Sequence, residues 1–350
     1  KTPMGPSQPT GITLPAGKFY SYAPSTVEEG NTRHVFYCGN TVSGVFHDNV
    51  MVSVGTKTNG TWAYTTPRVA FGPSQSVGWA NYHTCDPEVL RGAFTWNGHT
   101  YPWAIFFTAF GCATQDSACA GTDKASPNQL GVAFSDSLDA SPSDWKIYPT
   151  PLISYDSEFG GRCATSDYCV GQPSATSING AGQFLLFYQG KGGFVRRQVD
   201  LSDATKPVIG DPLVLKQDGL PSYLHNASLV YSTEQKRFYM SYNSGAWNVV
   251  KNGPPVQTDT VIASCDNDLV WKGDGVWKTE DTISGAHSTH VFNHNSGIVR
   301  NPYGMAVSTS LDVIHTVADT HYSDGTFGEW TYRLWTNTYT PEATAQVRTR

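Results

Sequence analysis

Three acidic side chains stand where chemistry could be done. Asp86 directly precedes Pro87 at the head of an extended run, Glu88-Val89-Leu90, and Asp48 heads another in Phe46-His47-Asp48-Asn49-Val50. Glu158 lies in the loop Tyr155-Asp156-Ser157-Glu158-Phe159-Gly160-Gly161-Arg162. Two carboxylates facing one cavity repel each other, and partial burial then leaves one holding a proton near neutral pH. Such a pair can protonate a leaving oxygen and supply a base or nucleophile to the same centre. The plainer reading of Asp86 is an Asp that closes a turn before Pro. That of Glu158, or of Asp156 beside it, is a solvated loop acid.

Polar and aromatic side chains gather at the heads of similar runs. His83, Gln172, His225 with Asn226, and His294 with Asn295 could bond hydroxyl groups in several directions. Tyr22, Trp79, Tyr82 and Trp247 offer flat apolar rings that lose little side-chain entropy on binding, or else pack between sheets. Arg300 could add a charged hydrogen bond or lie on the surface. No close-spaced metal motif is present, and no cofactor is expected. A central divalent cation held by His225 or His294 is the alternative.

What would position these groups is a repeated unit. Five imperfect copies head near 22, 86, 171, 225 and 294. The first runs Tyr22–Val27, turns at Glu29-Gly30-Asn31, and continues Arg33–Asn40 and Asp48–Val54. The second runs from Asp86, turns at Trp96-Asn97-Gly98-His99, and continues Tyr101–Thr108 and Leu130–Ser135. The third has Gly171–Thr176, Gln183–Gly190 and Val195–Val199; the fourth has His225–Val230, Arg237–Asn243 and Thr260–Ser264. The fifth diverges most: His294–Val299, Gly304–Ser308, and an outer strand at Glu329–Trp335. A unit this small cannot bury its own face, whereas several arranged radially share one core. The spacing predicts an all-β, five-bladed β-propeller forming a single domain over 1–350. Its long insertions, Phe110–Asn128 and Ile153–Val170, fall on the binding face.

Composition agrees. Charged residues make up 15%, while 34 Gly, 21 Pro, 18 Tyr and 10 Trp suit short strands and turns. A net charge of −6 without a basic stripe argues against a nucleic-acid partner. No apolar stretch is long enough to cross a bilayer as a helix, so no membrane partner is expected either. Of 7 cysteines, Cys112/Cys119 and Cys163/Cys169 are close pairs in small-residue loops, read as disulfides of a secreted protein. The partners of Cys38, Cys85 and Cys265 are left open, with at least one thiol unpaired within the chain. The opening at Lys1, without a Met or an apolar targeting run, is as expected after removal of a signal peptide or trimming of the chain.

The repeated small-or-acidic residue, Pro and Ser-like residue before a β run, followed by an aromatic strand ending in Tyr-x-Gly, resembles the five-bladed β-propeller glycoside hydrolases. That superfamily includes arabinanases, β-xylosidases, invertases and levansucrases. The resemblance implies a central funnel with acidic residues at the heads of the first three inner strands. The second such position matches Asp86. The first matches Ala23 and the third Gly171 or Gln172, none of them acidic. Glycosidic hydrolysis uses two carboxyl groups about 5 to 10 Å apart, so Glu158 or Asp48 would have to partner Asp86. The implied activity is hydrolysis of a poly- or oligosaccharide, furanosidic as in an arabinan, by a secreted monomer. A carbohydrate-binding propeller without catalysis is the alternative, favoured by Ala23 and Gly171/Gln172. Other chemistries lack their signatures: there is no Gly-x-Ser-x-Gly elbow, phosphate-binding loop or His-Glu-x-x-His.

Overall fold

The computed structural model describes residues 2–74, 77–112, 126–164, 168–215, 219–221, 224–248, 256–265, 269–272, 275–319 and 328–342. A short strand β1 (Gln8–Pro9) precedes the first blade, which holds β2 (Ser21–Glu29), β3 (Thr32–Gly39), β4 (Asn49–Thr58), β5 (Thr61–Tyr64) and β6 (Arg68–Phe71). The second holds β7 (His83–Trp96), β8 (His99–Phe110), β9 (Gln129–Ser135) and β10 (Lys146–Ile147). The third holds β11 (Gly171–Ser177), β12 (Gln183–Gly190), β13 (Gly193–Asp200), β14 (Val208–Ile209) and β15 (Leu213–Val214). The fourth holds β16 (Ser228–Ser232), β17 (Arg237–Asn248), β18 (Val256–Cys265) and β19 (Trp277–Ile283). The fifth holds β20 (Phe292–Ile298), β21 (Leu311–Ala318) and β22 (Arg333–Tyr339). Each blade is an antiparallel meander, and β1 pairs with β22 to complete the fifth. The expected five-bladed propeller is thus the observed fold.

The apolar runs of the middle strands explain the packing. Neighbouring residues on a strand point to opposite faces, and each blade is covered on both. Phe184, Leu186 and Tyr188 join Leu90, Phe106 and Phe134 between blades two and three. Leu185 and Phe187 join Leu229, Phe238 and Met240 between blades three and four. Parallel clusters fill the spaces between the remaining neighbours, including Val35 and Tyr37 against Ile314 and Leu334 where blade five meets blade one. Each such side chain contributes about 1.5–3 kcal/mol on leaving water, which no blade obtains alone. Asn97 (φ 50°) and Gly98 (φ 76°) both adopt the left-handed conformation between β7 and β8, as a tight primed turn requires.

Each inner strand is headed in the same way. Ala23, Asp86, Gln172, Asn226 and Asn295 have φ of 53°, 49°, 55°, 51° and 39°. This conformation costs a non-glycine residue about 1–2 kcal/mol, and its recurrence in every blade marks it as part of the design. The pairing register shifts just beyond it in four blades, at Tyr22/Ser25, Cys85/Glu88, Gly171/Ser174 and His294/Gly297. The kink turns five side chains towards the axis.

Below this ring the axis is plugged. Arg300, 1% exposed, pairs with Glu88 at 2.5 Å and donates to the Ala175 carbonyl at 2.6 Å. Glu88 also accepts from the Ser25 hydroxyl at 2.8 Å and the Ala175 amide at 3.0 Å. The fifth copy departs from expectation here. Gly304–Ser308 is not a strand but part of a loop whose Tyr303 carbonyl accepts from the Ser177 amide and whose Met305 bridges Tyr231; the second strand is β21. Nor is Glu329–Trp335 one strand: Gly328–Thr331 forms a 3-10 turn before β22, and the outermost strand is β1 from the other end of the chain.

Candidate active site

A cavity of about 240 Å³ opens where the inner strands begin, above the five kinked residues. Asp48 and Asp86 both line it, with Tyr22, His83, Tyr168, Gln172, His225, His294, Asn295 and Tyr332. Phe46, Phe110 and Val256 supply apolar wall. Among the described lining residues there is no Lys or Arg.

Asp48 enters from the loop before β4 and is 5% exposed. Its Oδ1 accepts from the Tyr20 hydroxyl at 2.6 Å and its Oδ2 from the Tyr22 hydroxyl at 2.8 Å. Burial, and then the charge of Asp48, hold both phenols well above their ordinary range, so both remain donors. The Asp48 amide donates to His83 Nδ1 at 2.9 Å. The same nitrogen lies 3.3 Å from Asp48 Oδ2. Each carboxylate oxygen of Asp48 keeps a further lone pair for substrate or water.

Asp86 reaches the cavity through its left-handed backbone. Burial pushes its carboxyl up to about 6, and the charge of Asp48 adds to this, while hydrogen bonds from Tyr168 and Thr108 pull the other way. The Tyr168 hydroxyl donates to Asp86 Oδ2 at 2.8 Å. A protonated fraction of Asp86 therefore persists near neutral pH, beside a carboxylate held by phenols.

The imidazoles opposite are neutral. Burial lowers His225 and His294 to about 4. His294 Nδ1 lies 2.8 Å from Asn295 Oδ1 and must donate to it, so Nε2 carries a lone pair that has no partner among the described residues. It can accept from a hydroxyl or bind a cation. Gln172 ties blades three and four together: its Oε1 accepts from the Asn226 amide at 2.8 Å, and its Nε2 lies 3.1 Å from His225 Nε2. The one group of three close metal-ligand types among the described residues, Cys38, Cys85 and Asp86, is a disulfide beside a carboxylate and offers no thiolates.

Of the side chains singled out in the sequence, the cavity brings together Asp48, Asp86, Tyr22, His83, Gln172, His225, His294 and Asn295. Asn226 lies just below, in the narrow channel that also holds Glu88. Trp247 is 42% exposed, its ring edge-on to His225 at 5.8 Å, at the rim. The others lie elsewhere for definite reasons. Glu158, on a short helix Tyr155–Phe159, pairs with Arg197 at 2.6 Å and accepts from the Tyr188 hydroxyl at 2.5 Å. Asp156 in the same helix is exposed. Trp79 stacks on Phe107 at 6.0 Å, packed against the core between the first two blades. Arg300 is the axial plug.

The structure adds groups that the sequence reading passed over. Tyr168 lies within the insertion Ile153–Val170 predicted to face the binding side, yet nothing in its neighbourhood marks it as a partner of Asp86. Tyr20 sits one residue before β2. Glu329, 7% exposed on the turn Gly328–Thr331, is pushed up to about 8 by burial and then by the charge of Asp48. It borders Trp330 and Tyr332, which pack on Tyr20 and Tyr22, without lining the cavity itself.

Two disulfides are seen among the described residues. Cys163–Cys169 is as expected, and Cys38–Cys85 settles a pairing left open, joining the end of β3 to β7. Cys265 is buried at the end of β18. The pairing expected for Cys112 and Cys119 falls partly outside the described residues, since Cys119 is not among them.

Solved structures of several glycoside hydrolases share this fold over nearly their whole length. It is similar to the catalytic domain of a GH62 alpha-L-arabinofuranosidase from Coprinopsis cinerea (TM-score 0.60, 12% identity, 96% of each chain covered). It is similar to a family 117 glycoside hydrolase from the marine bacterium Zobellia galactanivorans (TM-score 0.56, 11% identity, 96% of this chain and 89% of that one). An exo-1,5-alpha-L-arabinanase from a bovine ruminal metagenomic library gives a TM-score of 0.53 at 10% identity, with 93% and 95% covered. No protein-family model matches the sequence, and no curated protein does.

Proposed function

We propose that the protein is a secreted glycoside hydrolase acting on a poly- or oligosaccharide, with Asp86 as general acid and Asp48 as nucleophile or base. The observation that carries this reading is the pair of carboxyl groups lining one cavity in contrasting surroundings: Asp86 raised to about 6, Asp48 bonded by two phenols. Asp86 would pass its proton to the leaving glycosidic oxygen. Asp48 would attack the anomeric carbon or take a proton from the water that does. The neutral His225 and His294, with Gln172 and Asn295, would meet sugar hydroxyls, and the rings of Tyr22 and Tyr332 the apolar face of the sugar. The glycoside-hydrolase neighbours support the substrate class, and the furanosidases among them favour arabinofuranosides as first substrates to try. Two disulfides support secretion, and among the described residues no helix is long and apolar enough to cross a membrane.

A second reading, a carbohydrate-binding propeller without catalysis, is favoured by one observation. Ala23 and Gln172 occupy the kinked positions of blades one and three that Asp86 occupies in blade two. A panel of plant, fungal and bacterial glycans separates the two. Sugar release that is lost in folded Asp86→Asn and Asp48→Asn supports the hydrolase; retention of a glycan without any product supports the binding module.

A further inference from the structure

The arm of blade four holds an aromatic ring at the mouth of the cavity. Strands β17 and β18 stay paired as far as Trp247 with Gln257 and Asn248 with Val256, but the register shifts between Ser244 and Trp247, where Gly245 adopts φ 84°. Such a bulge bends its strand and re-aims the side chain that follows. The partner strand pins it: the Ala246 amide donates to Thr258 Oγ1 at 3.1 Å, and Gln257 Nε2 donates to the Gly245 carbonyl at 3.3 Å. A Cβ at Gly245 would collide with the Thr258 hydroxyl, so the bulge requires glycine. Trp247 itself is 42% exposed, with its ring edge-on to His225 at 5.8 Å. A ring held in one place while exposed leaves a binding partner little side-chain freedom to freeze.

The contacts of the arm also give that ring a side. Asp86 accepts from the Tyr168 hydroxyl at 2.8 Å, the Tyr168 ring is edge-on to His225 at 5.6 Å, and His225 meets Trp247, so one wall runs from Asp86 to the rim. Asp48 belongs to the opposite wall with Tyr20, Tyr22 and Tyr332. Val256, which points to the other face of the same arm, packs into that second wall. A general acid touches the leaving oxygen, so the leaving group lies along the wall of the acid. We infer that Trp247 is the platform for a second sugar, the one joined to the residue in the cavity and, in the proposed reaction, its leaving group. That role rests on Asp86 as the acid. The indole takes the apolar face of the second sugar, and the protein thereby selects a bond to another sugar over a bond to a small alcohol. Trp247 meets no reacting atom, and a contact made equally before and during bond cleavage lowers KM without raising kcat.

The test compares α-1,5-linked arabinobiose with methyl α-L-arabinofuranoside, whose leaving groups both need a proton but of which only the first carries a sugar. Trp247→Ala should raise KM for the biose about tenfold relative to the methyl glycoside, with kcat changed by less than about twofold. Trp247→Phe, which keeps a ring, should recover most of the loss. Equal changes on the two substrates, or a Trp247→Phe variant no better than Trp247→Ala, would overturn the proposal. A calorimetric titration of Asp86→Asn with the same two compounds needs no cleavage. The biose should bind more tightly than the methyl glycoside, and Trp247→Ala in that background should erase the difference; a biose bound no more tightly at the outset would equally overturn the proposal. Cleavage without a Trp247-dependent preference would reject the platform and leave the hydrolase standing. A Trp247-dependent preference without cleavage would do the reverse.

Discussion

A carboxyl group that holds its proton to about pH 6 does so because the folded chain disfavours its charge, and that has a measurable cost. Below about pH 4 Asp86 is protonated both folded and unfolded. As pH rises through about 6 the unfolded chain has already ionised, and the folded one must bury a charge, so the stability associated with the protonated form is lost. Asp86→Asn, which mimics the protonated form, should therefore melt higher than wild type above pH 6 and about equally below pH 4; melting curves across pH decide this. Tyr168→Phe removes a hydrogen bond that favours the charged form. It should push Asp86 further up and carry the alkaline limb of any activity profile up by about one pH unit. Asp86 could be found in the sequence because Pro87 follows it in a repeated frame. Its partner was harder to identify. Asp48, at the head of an extended run, and Glu158, in a loop, were both candidates in the sequence, and only coordinates show one taking two phenol hydrogen bonds and the other an Arg197 ion pair. Glu329 left no signal, since the charge that raises it comes from Asp48, far away in sequence.

At the scale of the element, the kinked start of each inner strand links sequence to site. Its signature in the first three blades is Pro after the left-handed residue, at Ala23-Pro24, Asp86-Pro87 and Gln172-Pro173. Blades four and five keep the conformation at Asn226 and Asn295 without the proline, relying on the tolerance of Asn for positive φ. The proline marks the first three heads in the sequence, whereas the fourth and fifth show there only as His-Asn pairs. The divergent fifth copy misled where Gly304–Ser308 and Glu329–Trp335 resembled strands, because an apolar alternation over five residues fits a loop packed beneath the blades as well as a strand. Arg300 misled for another reason: a lone Arg in a sequence does not show that Glu88 waits for it on the axis. Arg300→Met should cost about 3–5 kcal/mol by stranding the buried Glu88 charge, and Glu88→Leu/Arg300→Met should cost less than the single change. Urea denaturation of the single and double variants measures both.

For the whole molecule, stability depends on closing a ring. Strand β1 supplies the outer edge of blade five from the opposite end of the chain, where Thr10 donates to the Leu334 carbonyl and Ser7 meets His315 and Asn337. Two residues of pairing are too few to register as a strand in the sequence, so this closure was invisible there although the propeller was not. Removing residues 1–11 takes away these bonds and the buried Met4, a loss of about 2–3 kcal/mol. The melting temperature should fall by roughly 3–4 °C, as a thermal scan of the truncated chain would show. The closed ring also brings Asp48 of blade one and Asp86 of blade two to one cavity, and the proposed catalytic roles rest on that. The most direct measurement is the hydrolysis rate of wild type, Asp86→Asn and Asp48→Asn on paired glycosides of one sugar, one with an activated aryl leaving group and one with a sugar leaving group. Asp86→Asn should lose about 10²–10⁴-fold on the sugar leaving group and far less on the aryl one, which needs no proton, while Asp48→Asn fails on both. Equal losses for Asp86→Asn on the two substrates, or full activity in Asp48→Asn, would contradict the assignment.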